Sequence, residues 1–254
     1  MYSALMALLG AIMIQIGTNF ANDYFDYQKG ADQKDRLGPT RVTQAGLVNP
    51  STMKSATIFI FTIAILAGTY LVWRGGLPIL LIGLLSIIFG ILYTAGPFPL
   101  GYIGLGDVFV LIFFGPVAVG GTYYVQTLEI NIPVILSGLA PGLFSVAILT
   151  VNNLRDINSD SEVGKKTLAV RFGTSFSKLE YLLSIVLACF IPLLLYINYQ
   201  KHLYSVITLV VLIIAVPSIK KLFTTEGREL NNVLASTGKL LLLYSLLFSI
   251  GWLL

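Results

Sequence analysis

Eight long apolar runs, separated by short polar stretches, limit this chain more than any other feature of its sequence. They extend approximately over Tyr2–Phe20, Ser55–Trp73, Leu77–Tyr93, Asp107–Val125, Ile132–Val151, Leu179–Tyr196, Leu203–Ile219 and Lys239–Leu254. A helix that crosses a bilayer needs about 20 mostly apolar residues. Backbone inside lipid must satisfy its own hydrogen bonds, so it forms helices or closed barrels, and runs without alternation point to helices. The expected fold is all-α: a polytopic transmembrane bundle of eight spans, with residues 1–254 forming a single domain.

Composition supports lipid as the solvent. The chain is 56% hydrophobic and 11% charged, whereas soluble domains carry about 25% charged residues. A net charge of +4 would suggest nucleic acid in a soluble protein. Here the basic residues stand beside apolar runs, so the implied partner is the bilayer and no nucleic acid. Cys189 is the single cysteine and His202 the single histidine. That inventory excludes a disulfide framework and a zinc site built on thiolate or imidazole ligands, and His202, in a short inter-span loop, does not suit a Ser-His-Asp triad.

Eight spans place segments 21–54, 94–106, 152–178 and 220–238 on one face. Only Arg74 and Lys201, of the 16 basic residues, fall on the other. The positive-inside bias makes the rich face cytoplasmic, and the expected location is the plasma membrane. The chain enters its first apolar run almost at once, without a basic leader.

Two polar loops lie on that rich face. The first contains Asn19, Asn22, Asp23 and Asp26, spaced three or four apart, followed by Lys29, Asp32, Lys34, Asp35, Arg36 and Arg41. If the first span continues to Asp26, the amides and carboxylates share one helical face. The second contains Asn152, Asn153, Arg155, Asp156, Asp160, Lys165 and Lys166, and repeats the order of amide, carboxylate pair, glycine and lysine. Oxygen donors of this kind suit Mg²⁺, which takes one or two carboxylates and leaves its other positions to water and phosphate. The adjacent Lys and Arg argue against a free Ca²⁺ site and for a polyanion held through metal. A diphosphate with an apolar tail in the bilayer fits this layout. Phe20, Tyr24, Tyr93, Tyr123, Tyr124 and Phe144 are aromatic candidates for stabilising an allylic cation. A transporter of an organic anion is the rival class, but transporters place such groups at mid-membrane, and here they gather at one face.

These motifs resemble those of the UbiA-type intramembrane prenyltransferases, in particular the branch that acts on 1,4-dihydroxy-2-naphthoate. The resemblance rests on Asn22-Asp23-Tyr-Phe-Asp26 with Asp35-Arg36-Leu-Gly38-Pro39-Thr-Arg41, and on Asn152-Asn153-Leu-Arg155-Asp156 with Asp160 and Gly164-Lys165-Lys166-Thr167. It includes the intervening Tyr93-Thr-Ala-Gly96-Pro97, Tyr102 and Gly104-Leu-Gly106-Asp107. It implies that Asn22, Asp23, Asp26, Asp156 and Asp160 hold two Mg²⁺, and that Asn22, Lys29, Arg36, Arg41, Asn153, Arg155 and Lys165 contact the diphosphate. Asp23, Asp26, Asp156 and Asp160 are its implied catalytic residues. The implied reaction joins a polyprenyl diphosphate to the naphthoate and yields demethylmenaquinone, diphosphate and CO₂, in menaquinone biosynthesis. Other acceptors, such as 4-hydroxybenzoate, homogentisate or a porphyrin, are the alternatives within the family. The family pattern also has nine spans, so this chain is expected to lack the first helix.

Overall fold

The computed structural model describes residues 1–31 and 36–254. Among them the regular elements are helices: α1 (Tyr2–Gln28), α2 (Pro50–Gly75), α3 (Leu77–Leu92), α4 (Gly106–Thr127), α5 (Ile132–Arg155), α6 (Ile157–Glu162), α7 (Leu168–Tyr199), α8 (Leu203–Thr224) and α9 (Gly227–Leu253). Each of the eight apolar runs falls on one of them, the third and eighth overhanging their helices by one residue at the C-terminal end. Seven of these helices are long and apolar enough to cross a membrane. The remaining apolar helix, α3, has 16 residues and so spans about 24 Å, short of the bilayer's hydrocarbon thickness of about 30 Å.

Several helices outrun their apolar segments. α1 continues to Gln28 rather than ending near Phe20, α7 begins at Leu168, with a break at Gly173 (φ +83°), rather than at Leu179, and α9 at Gly227 rather than Lys239. Hydropathy marks where lipid ends, whereas a helix ends where its backbone bonds are broken or capped. Prolines at the first turns of α2, α3 and α5 help to start those helices, since they give up only a donor with no intrahelical partner. Asn131 caps α5, its Oδ1 accepting from the Val134 amide at 3.1 Å. The turn between α2 and α3 is a single residue, Gly76, at φ +67°, a conformation open to glycine at little cost.

The chain divides into two compact units. The first comprises Met1–Gly106, Gly121–Ile130 and Ser159–Thr167. Within it α1, α2 and α3 pack against one another. Arg74 at the end of α2 donates to the carbonyls of Val125 and Gln126.

The second unit comprises Asp107–Gly120, Asn131–Asn158 and Leu168–Leu254. Its core is centred on α5. Phe144 and Val151 on that helix are sealed against Tyr181 and Ile185 of α7 and Tyr244 of α9. The Phe144 and Tyr244 rings lie 5.2 Å apart, and the Tyr181 hydroxyl meets Thr237 Oγ1 at 2.8 Å. α4 carries a π-turn at Phe113–Val117, with Gly115 out of helical conformation before Pro116. A Cβ on Gly115 would stand 2.7 Å from the Gly138 carbonyl and 3.1 Å from the Gly142 Cα. Small residues at that crossing let two backbones touch, the usual basis of tight helix packing in lipid. Large apolar side chains such as Leu66, Ile213 and Leu242 remain exposed on the outer faces, as lipid-facing positions require.

Candidate functional site

The continuation of α1 to Gln28 places Asn22, Asp23 and Asp26 on its final two turns, with Lys29 at the C-cap. Asp23 and Asp26 are both buried. Asp23 accepts two backbone bonds from the returning loop, Val42 N–H at 3.1 Å to Oδ2 and Thr43 N–H at 3.2 Å to Oδ1. Asn22 Oδ1 accepts from the Thr94 hydroxyl at 3.0 Å. Asp26 Oδ1 accepts from the Tyr102 hydroxyl at 2.8 Å, and its Oδ2 lies 3.7 Å from the Arg41 guanidinium. The loop after α3 therefore binds the first motif twice, through Thr94 and Tyr102.

Part of the second motif joins the same unit. Lys165 forms an ion pair with Asp160 at 3.5 Å. Its Nζ also stands 4.8 Å from the centre of the Tyr102 ring, and Lys29 Nζ stands 4.7 Å from that same centre. The Lys166 amide donates to the Tyr102 carbonyl at 2.7 Å. Lys29 Nζ itself donates to the Thr94 and Gly96 carbonyls at 2.6 and 3.3 Å. Two ammonium groups and two carboxylates from segments far apart in sequence thus meet around one tyrosine. Burial pulls the Lys29 ammonium below the ordinary lysine value; the Asp26 charge opposes that shift and the neighbouring Lys165 charge adds to it. Desolvation and a like charge both disfavour the protonated amine.

The rest of the second motif belongs to the second unit. α5 ends at Arg155 and Asp156 caps it in a non-helical conformation. Arg155 is buried. Its guanidinium grips the Asp156 carboxylate at 2.8 and 2.6 Å, and donates to Asn152 Oδ1 at 2.6 Å and to Asn231 Oδ1 of α9 at 2.7 Å. Asn153, one residue beyond Asn152, is buried as well. The helix break at Asp156 interrupts the four-residue helical spacing to Asp160, which lies in α6.

Arg36 is partly buried in the loop that follows the first motif. Asp32, Lys34 and Asp35 lie outside the described residues. Of the aromatic candidates, Phe144 is packed in the core of the second unit, and Tyr24 makes an edge contact with Phe25. Three partners had no individual reading in the sequence. Tyr102 entered only as part of a motif, Thr94 within the same loop, and Asn231 gave no signal. The Gly- and Pro-rich composition of 96–106 was the one available pointer to a structured loop.

The first motif offers oxygen donors only, in keeping with a hard divalent cation. Each Asp23 oxygen accepts one backbone bond, which leaves further lone pairs on both. Among the described residues no group of three acidic, cysteine or histidine side chains could form a metal cage by itself. Mg²⁺ is commonly bound by one or two carboxylates together with substrate phosphates, so the residues fit an ion that arrives with a phosphorylated ligand.

The chain is similar to known proteins over nearly its whole length. The chain is 38% identical over 97% of its length to the 1,4-dihydroxy-2-naphthoate octaprenyltransferase of Haemophilus influenzae, covering 82% of that protein. It is 35% identical over 96% of its length to the protein of the same description from Mycobacterium tuberculosis, covering 83%. A solved structure of a UbiA homolog from Archaeoglobus fulgidus bound to DMAPP and Mg²⁺ superposes with a TM-score of 0.68 at 13% identity, over 99% of this chain and 88% of that one. The model of the UbiA prenyltransferase family matches residues 2–253. The chain is a multi-pass membrane prenyltransferase and belongs to the UbiA family.

Proposed function

We propose that this enzyme transfers a polyprenyl group from its diphosphate to 1,4-dihydroxy-2-naphthoate, with release of diphosphate and CO₂, to give demethylmenaquinone for menaquinone biosynthesis. The observation that carries the reading is the meeting of Lys29, Lys165 and Asp26 around Tyr102. Paired ammonium groups next to a fixed carboxylate match a diphosphate that carries metal. The naphthoate acceptor is taken from relatives at 35–38% identity that align over almost the whole chain. The motif face is the cytoplasmic one, on the distribution of basic residues, in the plasma membrane.

In this reading Asn22, Asp23, Asp26, Asp156 and Asp160 hold two Mg²⁺. The bound metal supplies Lewis-acid neutralisation of the negative charge that grows on the departing diphosphate. Lys29 and Lys165 neutralise phosphate oxygens directly, with Arg36, Arg41 and Asn153 as further contacts. Arg155 orients Asp156, because its buried guanidinium is already shared among Asp156, Asn152 and Asn231. The apolar helices exclude water that would trap an allylic cation.

The test is turnover by membranes containing the protein, supplied with a polyprenyl diphosphate and a panel of aromatic acceptors. Asp23→Asn should abolish product while the protein remains folded, and Asp156→Asn should abolish product as well. Product formation by the wild type after complete chelation of divalent metal would overturn the metal assignment. A preference for 4-hydroxybenzoate, homogentisate or a porphyrin would move the acceptor while keeping the family chemistry.

A further inference from the structure

Tyr102 connects the first motif to part of the second. Its hydroxyl donates to Asp26 of α1, its ring faces the ammonium groups of Lys29 and Lys165, and its carbonyl accepts from the Lys166 amide. It sits in a loop closed by its own turn, with the Tyr102 amide donating to the Pro99 carbonyl at 2.9 Å. The loop is anchored a second time by Thr94, which donates to Asn22 and whose carbonyl accepts from Lys29.

Two like charges do not gather around one side chain without compensation. The face of an aromatic ring attracts cations within about 6 Å of its centre, and both amines fall inside that range. Asp160 and Asp26 add opposite charge at the same place. A cation pair assembled before a polyanion arrives need not be ordered by it, which is the benefit of preorganisation. The Tyr102 hydroxyl, bonded to one carboxylate oxygen, fixes the plane of Asp26. One ring thus holds two charges for the phosphates, and its hydroxyl aims a third group suited to metal.

Building on the function proposed above, we propose that Tyr102 is a positioning residue. Its ring holds Lys29 and Lys165 as a ready-made cation pair, and its hydroxyl aims Asp26 at the metal carried by the diphosphate. The two parts of the side chain then have separable duties. Phenylalanine keeps the ring and removes the aim, whereas leucine removes both.

The test uses the full-length protein in lipid nanodiscs, with farnesyl diphosphate as the probe, titrated with Mg²⁺ and again in excess chelator. In Tyr102→Phe the Mg²⁺ concentration for half-maximal binding should rise about 3- to 10-fold, from the loss of one hydrogen bond of ordinary net strength. Binding of the probe without metal should stay at the wild-type level. In Tyr102→Leu the metal-free binding should also weaken, about 10-fold for two lost cation–π contacts. A residue that merely packs the loop would weaken both measurements in proportion in both variants, and that result overturns the proposal. Should Tyr102→Leu fail to fold, the isosteric Tyr102→Phe decides alone, and an unchanged Mg²⁺ requirement is fatal. Wild-type protein that binds no farnesyl diphosphate under either condition removes the function proposed above, and this inference with it. Wild-type binding that both variants share unchanged removes the role of Tyr102 only.

Discussion

The two motifs read alike in sequence, yet Asp23 and Asp156 are held by different kinds of donor. In the first, Asp23 is held by two backbone amides and Asp26 by a phenol, with Arg41 more distant at 3.7 Å. Neutral donors orient a carboxylate and leave its full negative charge in place. In the second, Asp156 is gripped by both arms of a buried guanidinium. A bidentate pair orients equally well and cancels the charge. Asp23 therefore keeps more of its negative charge than Asp156, whose partner Arg155 also ties α5 to α9 through Asn231.

The most severe test of that contrast is Arg155→Leu. It removes the bidentate partner of the Asp156 carboxylate and the bonds that Arg155 gives to Asn152 and Asn231. Breaking one side of a buried pair costs about 3–5 kcal/mol, to be read from thermal unfolding in detergent. A loss under about 1 kcal/mol, the value of an exposed pair, would show that Arg155 is not the buried clamp described here. Asp156→Asn against Asp23→Asn is the next step. The first should destabilise nearly as much as Arg155→Leu, since it leaves a buried guanidinium uncompensated. The second keeps the shape and turns one acceptor into a donor facing a backbone N–H, at about 1–3 kcal/mol. Equal losses in unfolding would erase the distinction, whereas turnover should collapse in both. A smaller effect is expected from Thr94→Val, which removes the hydroxyl bond to Asn22 and should cost about 1 kcal/mol. If Thr94→Val instead matches Arg155→Leu, the first motif is the clamped one.

What the sequence revealed follows the same divide. The apolar runs and the three- and four-residue spacing on α1 are local properties, and they appear as eight apolar helices and a shared face for Asn22, Asp23 and Asp26. The partners of Asp23 were hidden because a backbone amide looks the same at every residue, so nothing distinguishes Val42 and Thr43. Asn231 lies 76 positions from Arg155, and only the fold makes them neighbours. Tyr102 stands in a loop whose composition suggests a turn without saying what it touches. The π-turn at Phe113–Val117 had a visible cue in Gly115-Pro116, because proline removes a helical donor and glycine tolerates the deformation.

The smallest expected effect concerns Lys29, the amine of the first motif that burial pulls below the ordinary lysine value. Below both its folded and its unfolded pKa the amine is protonated in both states, and the cost of keeping that charge in the fold is fully present. As pH rises through the folded value, the folded form releases its proton while the unfolded chain retains one. Stability should therefore increase slightly up to the unfolded value of about 10.4 and level off above it. Anion binding should move the other way, since a neutral amine no longer attracts phosphate. Metal-free binding of farnesyl diphosphate should thus begin to weaken at a pH where ordinary lysines remain charged, and Lys29→Met should remove that early decline while lowering affinity throughout. A binding curve that falls at the same pH in Lys29→Met and in the wild type would assign the titration to another group and leave the first motif without its tuned cation.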